Sequence, residues 1–141
     1  MSGLVPLDDH VLVAGQIAPS DVARIAAEGV TTIVNNRPDG EERGQPSSGE
    51  IEAAARAAGL GYRHIPVAGG IAPPQVEAMA AAIEEAEGKV LAFCRSGTRS
   101  TFLWALVRSR QGRDGDTLFS QAAAVGYDLS PIRFALGGGA E

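Results

Sequence analysis

The chain has 141 residues and a mass of 14.5 kDa, with 45% apolar residues, 21% charged residues and a formal net charge of −5. This is the size and composition of one soluble globular domain, 1–141, and the negative charge argues against nucleic acid as a partner. No apolar run reaches the roughly 20 residues of a membrane-spanning helix, and a single cysteine with two histidines excludes an internal disulfide and speaks against a structural zinc site.

Acidic Asp8 and Asp9 near the start, with no basic segment before an apolar one, do not read as a secretory leader, so a cytoplasmic location is expected. Residues 5–16 read as two short strands around a turn at Asp8-Asp9. Pro19-Ser20-Asp21 then starts a helix with Ser20 as its N-cap, and Gly29 ends it. The β-branched run Val30-Thr31-Thr32-Ile33-Val34 predicts a buried strand, followed by a long polar loop from Asn35 to Pro46. An Ala-rich helix follows from Ser47 or Ser48 to Gly59, then a strand from Tyr62 to Val67.

Pro73-Pro74 opens the next helix, which runs to Gly88. Lys89 to Phe93 is a strand, and helical spacing resumes at Phe102, Ala105 and Leu106, with Phe102 and Trp104 read as core. Two shorter helices are expected at 117–125 and 130–136, before a flexible tail at 137–141. The alternation predicts an α/β fold: a mostly parallel central sheet of about four to five strands flanked by helices. The loops after Val34, Val67 and Phe93 should share the rim where such sheets bind ligands, bringing Asn35, Arg37, Asp39, Gly69 and Gly70 near Cys94.

Cys94-Arg95-Ser96-Gly97-Thr98-Arg99-Ser100 is the stretch that carries chemistry. It lies between a strand and a helix, where free backbone N–H groups and the helix dipole favour an anion or a thiolate. Cys94 is therefore the candidate nucleophile. Arg99 is the candidate anion clamp, because its planar fork donates to two oxygens at once. Arg95, Ser96, Gly97 and Thr98 supply loop amides, with Gly97 free to take positive φ, and Ser100 is placed to donate to the thiolate. Arg37 and Asp39 are candidate rim contacts, and His64, mid-strand, is read as structural. No metal or organic cofactor is required.

The cysteine loop resembles the active-site loop of rhodanese sulfurtransferases, in which the cysteine carries a persulfide. The order of elements, with Asn35-Asn36-Arg37-Pro38-Asp39-Gly40-Glu41-Glu42 early and only helices after the cysteine loop, resembles the dual-specificity phosphatase fold. Together with Gln45-Pro46 and His64-Ile65-Pro66-Val67, these features resemble the beta-lactamase-hydrolase-like, phosphatase-like domains, also labelled sulfur transferases and sometimes fused to a persulfide dioxygenase. The resemblance runs from about Leu12 to Leu129. It implies either sulfur or phosphoryl transfer.

Three departures favour sulfur. Four residues separate Cys94 from Arg99, one fewer than in phosphatases of this fold; Phe93 stands where a histidine commonly precedes the cysteine; and Val67-Ala68-Gly69-Gly70-Ile71 has no acid to protonate a leaving oxygen. The first expectation is thus a sulfurtransferase passing sulfane sulfur from thiosulfate or a persulfide to a thiol or cyanide through a Cys94 persulfide, with a persulfide dioxygenase as a possible functional partner. A cysteine-based phosphatase is the alternative, with Asp39 as its potential acid. A non-catalytic anion-binding or redox-sensing module is the third.

Overall fold

The computed structural model describes residues 3–136, and the expected tail at 137–141 lies outside them. Five strands form one sheet in the order β1-β2-β5-β3-β4. Strand β1 is Val5–Pro6, β2 Val11–Ala14, β3 Val30–Asn35, β4 Gly61–His64 and β5 Lys89–Phe93. Only β1 is antiparallel to its neighbour; β2, β5, β3 and β4 run parallel, as the strand–helix alternation predicts.

Strand β5 lies in the middle, and its side chains alternate between two apolar layers. Val90 and Ala92 face a core with Met79, Ile83, Leu103, Trp104 and Leu118. Leu91 and Phe93 face a second core with Ile25, Ile33, Ile51 and Tyr62. Helices α3 (Pro73–Glu85), α4 (Thr98–Arg110) and α5 (Gly115–Ala123) cover the first face, and α1 (Val22–Ala27) and α2 (Ser48–Ala57) cover the second. A strand buried on both sides reads as a continuous apolar run, which is why β5 is plain in the sequence.

Several boundaries differ from expectation for local reasons. Ser20 is not the first cap: a short 3-10 turn, Pro19–Asp21, precedes α1, and the Asp21 carboxylate reaches back to accept the Ala18 N–H at 2.8 Å. Strand β4 ends at His64 instead of Val67, yet the Ile65 and Val67 N–H groups still donate to Asn35 and Asn36 carbonyls at 2.8 and 3.0 Å. Pro66 between them has no N–H to offer. Helix α5 starts two residues early because Asp114 caps it, accepting the Thr117 N–H at 3.3 Å. The last segment, Ser130–Ala135, is a 3-10 helix. Among the described residues no helix is long and apolar enough to cross a membrane.

Candidate active site

Parallel β2, β3, β4 and β5 deliver their carboxyl ends to one rim. Cys94 is the first residue beyond β5 and is buried. Two neighbouring strands hold its backbone: the Cys94 N–H donates to the Ala14 carbonyl at 3.4 Å, and the Asn36 N–H donates to the Phe93 carbonyl at 2.8 Å. The Cys94 sulfur accepts the Gly97 N–H at 3.1 Å, so the chain curls around Sγ before α4 begins.

Gly97 has φ +94°, and a Cβ there would lie 2.2 Å from the Tyr127 hydroxyl. Glycine is required twice over, by conformation and by space. Tyr127 in turn donates to the Ser96 carbonyl at 2.9 Å, and burial followed by the Cys94 charge pushes its pKa up. It belongs to the site, but nothing in its sequence context announces a residue that reaches back across 31 positions. Gly15 is a second close approach, since a Cβ there would come within 2.9 Å of the Arg95 carbonyl, which also accepts the Gln16 N–H at 3.2 Å.

Arg99 projects from the first turn of α4. Its Nη1 donates to the Val67 carbonyl at 2.7 Å and to Glu41 Oε2 at 2.7 Å, and its Nη2 donates to Glu41 Oε1 at 3.0 Å. Glu41 raises the Arg99 pKa most, with smaller contributions from the charge of Cys94 beside it. The fork expected to clamp a substrate anion thus holds a carboxylate from the chain itself. Sequence reading singled out Asp39 on this loop and passed over Glu41.

The loop after β3 arrives there because Arg37 anchors it. Arg37 is 2% exposed and donates from Nε to Glu41 Oε1 at 2.8 Å, from Nη1 to Gln16 Oε1 at 2.9 Å and from Nη2 to Glu42 Oε1 at 2.9 Å. These contacts make Arg37 the holder of the glutamate loop; none joins it to Cys94. Exposed Arg95 meets the other side of Glu42 at 3.2 Å. His64, exposed at the end of β4, pairs its Nε2 with the Arg37 carbonyl at 2.8 Å.

One expected role is corrected. Ser100 is buried and donates to Asn36 Oδ1 at 2.7 Å, not to the sulfur; Asn36 is fixed there because its amide donates to the Ile65 carbonyl at 3.0 Å. Asp39 Oδ1 accepts the Ser48 N–H at 2.7 Å at the head of α2, so that oxygen is engaged in a helix-capping contact. Ser96 and Thr98 pair their hydroxyls at 3.0 Å on the exposed side of the loop. Asn35 is occupied by Tyr62 and the Arg37 N–H.

Gly69 and Gly70 share with Arg99 the lining of a cavity of 630 Å³, to which residues of α3, α4 and the last 3-10 helix also contribute. Phe102, read as core, is half buried and lines this cavity with Leu106; the fully buried face of α4 is Leu103, Trp104 and Val107.

Residues 4–111 match the family described as beta-lactamase hydrolase-like protein, phosphatase-like domain. A beta-lactamase hydrolase-like protein of Xylella fastidiosa (strain Temecula1) is 38% identical over 128 residues, covering 89% of this chain and 30% of that protein. The chain therefore spans about a third of that relative's length. A Neisseria meningitidis Z2491 structure, provisionally assigned as a phosphatase, is 38% identical with a TM-score of 0.83, covering 95% of both chains. Tk-PTP in its active form has the same fold at 20% identity, with a TM-score of 0.71 and coverage of 94% and 91%.

Proposed function

Because this chain belongs to the beta-lactamase hydrolase-like protein, phosphatase-like domain family, we propose that it is a cysteine-based phosphoester hydrolase working through a Cys94 phosphocysteine. This reverses the order expected from the sequence, where sulfur transfer came first. The observation that supports it is the seat of Cys94: a buried sulfur wrapped by its loop, accepting the Gly97 N–H at 3.1 Å, at the head of α4 with Arg99 beside it. Loop amides and a helix N-terminus favour an anion, and a guanidinium adds paired donors.

In the first step the Cys94 thiolate forms a bond to phosphorus while the ester P–O bond breaks and the leaving oxygen departs with the electron pair. In the second, water attacks the phosphocysteine, the S–P bond breaks, and inorganic phosphate and the thiolate are released. The Val67–Ile71 loop carries no acid, and Glu41 is held ionised with a pKa of about 2. Leaving groups that are stable as anions, such as phenolates, are therefore preferred over simple alkoxides.

Sulfur transfer is retained as the second reading on one observation, the four-residue spacing between Cys94 and Arg99 with its smaller ring of amides. There the thiolate attacks the outer sulfur of thiosulfate, the S–S bond breaks, sulfite leaves with the electron pair, and an acceptor thiolate later takes the sulfur from Cys94. One experiment separates the two. Wild type and Cys94→Ser are assayed for p-nitrophenyl phosphate hydrolysis, and intact mass is read after thiosulfate treatment. Cys94-dependent hydrolysis supports the phosphatase. A Cys94-dependent gain of one sulfur without hydrolysis replaces it with the transferase, and neither result would leave an anion-binding module.

A further inference from the structure

The cavity beside Arg99 is far larger than a phosphoryl group needs and is lined mostly by carbon. Val67, Ile71, Val76, Phe102, Leu106 and Ile132 form its walls. Its volume of 630 Å³ falls within the range of small-molecule sites. Arg99, Phe102, Leu106 and Arg110 all line it and recur at helical spacing along α4, so one stripe of that helix runs cation, apolar, apolar, cation. Eleven residues at the helical rise span roughly 16 Å. Phe134, 88% exposed, stands at the rim, an apolar ring with nothing packed over it among the described residues.

We infer that the cavity holds the organic part of the substrate, an extended apolar body whose single anionic end is gripped at Arg99 beside Cys94. The inference rests on the phosphoester reading and adds the substrate class to it: an amphiphilic phosphomonoester. The charged lining fits this occupant: Glu77 and Arg110 bring one charge of each sign, and Arg99 adds a single positive one. Arg99 belongs to both the nucleophile's surroundings and the cavity wall, so an anion placed there aims anything attached to it along the apolar stripe. The concave shape suits a small molecule; a second copy of the chain would need a broad complementary face of about 800 Å². Buried apolar length should then raise affinity steadily, because each methylene removed from water adds to binding.

The test uses the Cys94→Ser protein, so that binding is read without turnover. Methyl phosphate and octyl phosphate, the latter below its micelle concentration, are titrated calorimetrically. Octyl phosphate should bind at least thirtyfold more tightly. Ile71→Ser and Leu106→Gln, in separate elements, should each cut that gain to below about fivefold while leaving methyl phosphate unchanged, with thermal melts confirming that both fold. Equal affinity for the two phosphates overturns the inference, even if wild type hydrolyses p-nitrophenyl phosphate. An octyl gain untouched by both variants also overturns it. Self-association abolished by the same variants would assign the cavity to a second copy and overturn it as well. An octyl gain lost in the variants, in a protein that hydrolyses no phosphoester, supports the cavity's occupant and removes the phosphatase reading alone.

Discussion

Glu41 decides how the site opens. Its carboxylate takes both terminal nitrogens of Arg99, with Arg37 donating to the same carboxylate. Hydrogen bonds from Arg99 bring its pKa down to about 2 from 4.5, burial opposing them and Arg37 adding to them. A depressed carboxyl keeps its ion pair above its ordinary range and loses it only as pH falls through about 2, so no change near neutrality releases Arg99. A substrate anion must compete with the glutamate. Glu41→Gln is expected to lower KM and the inhibition constant of inorganic phosphate by about twofold to fivefold, the size of a partly exposed charge interaction. Steady-state kinetics with phosphate as inhibitor reads this directly. A rise in KM with a fall in kcat would instead make Glu41 the residue that orients Arg99.

At the scale of elements, the loop between β3 and α2 is built from capping contacts. Ser47 and Glu50 close a reciprocal box at 3.1 and 2.8 Å, and Asp39 adds the Ser48 N–H. Asp39→Ala should therefore cost about 1 kcal/mol in stability, as lost caps do, while kcat changes less than about threefold. Loss of activity by the 10²–10⁴ typical of a removed proton donor would return Asp39 to the chemistry. Urea melts and turnover on the same preparation give both numbers.

The central strand and its cysteine loop are legible in the sequence because apolar runs, glycine and two arginines announce themselves locally. Glu41 on Arg99, Tyr127 on Ser96 and Ser100 on Asn36 join residues 58, 31 and 64 positions apart. Such pairs depend on strand order, and polar residues in a loop look alike until that order is known. Phe102 packs against the core, as its helical spacing predicts, but it is only partly buried and also lines the cavity, which spacing alone does not show.

At the scale of the whole molecule, Asp8 ties the start of β2 to α4 and the turn that follows it. Its Oδ1 accepts the His10 and Val11 N–H groups at 2.9 and 2.8 Å, and its Oδ2 accepts Trp104 Nε1 at 2.8 Å, Arg108 Nε at 3.0 Å and Arg113 Nη1 at 3.2 Å. Burial pushes its pKa up, but the bonds from Trp104, His10 and Arg108 outweigh it and leave the carboxyl at about 2, against an ordinary 3.8. The stability it contributes is complete above that ordinary value and is lost as pH falls through about 2. Asp8→Ala should destabilise the fold by about 3 kcal/mol, the scale for breaking a buried ion pair, and lower the thermal midpoint by roughly 10 °C. Asp8→Asn should flatten the dependence of unfolding free energy on pH between about 4 and 2. An unchanged slope there would show that Asp8 does not govern acid unfolding.

Strand β5, third of five, is hydrogen-bonded along both edges. Its amides can exchange for deuterium only when the sheet itself opens, since no edge of it faces solvent. Cys94, the proposed nucleophile, is thus mounted at the end of the strand expected to come apart last. Partial unfolding of the periphery should leave the nucleophile seated, and heat inactivation should coincide with global unfolding instead of preceding it.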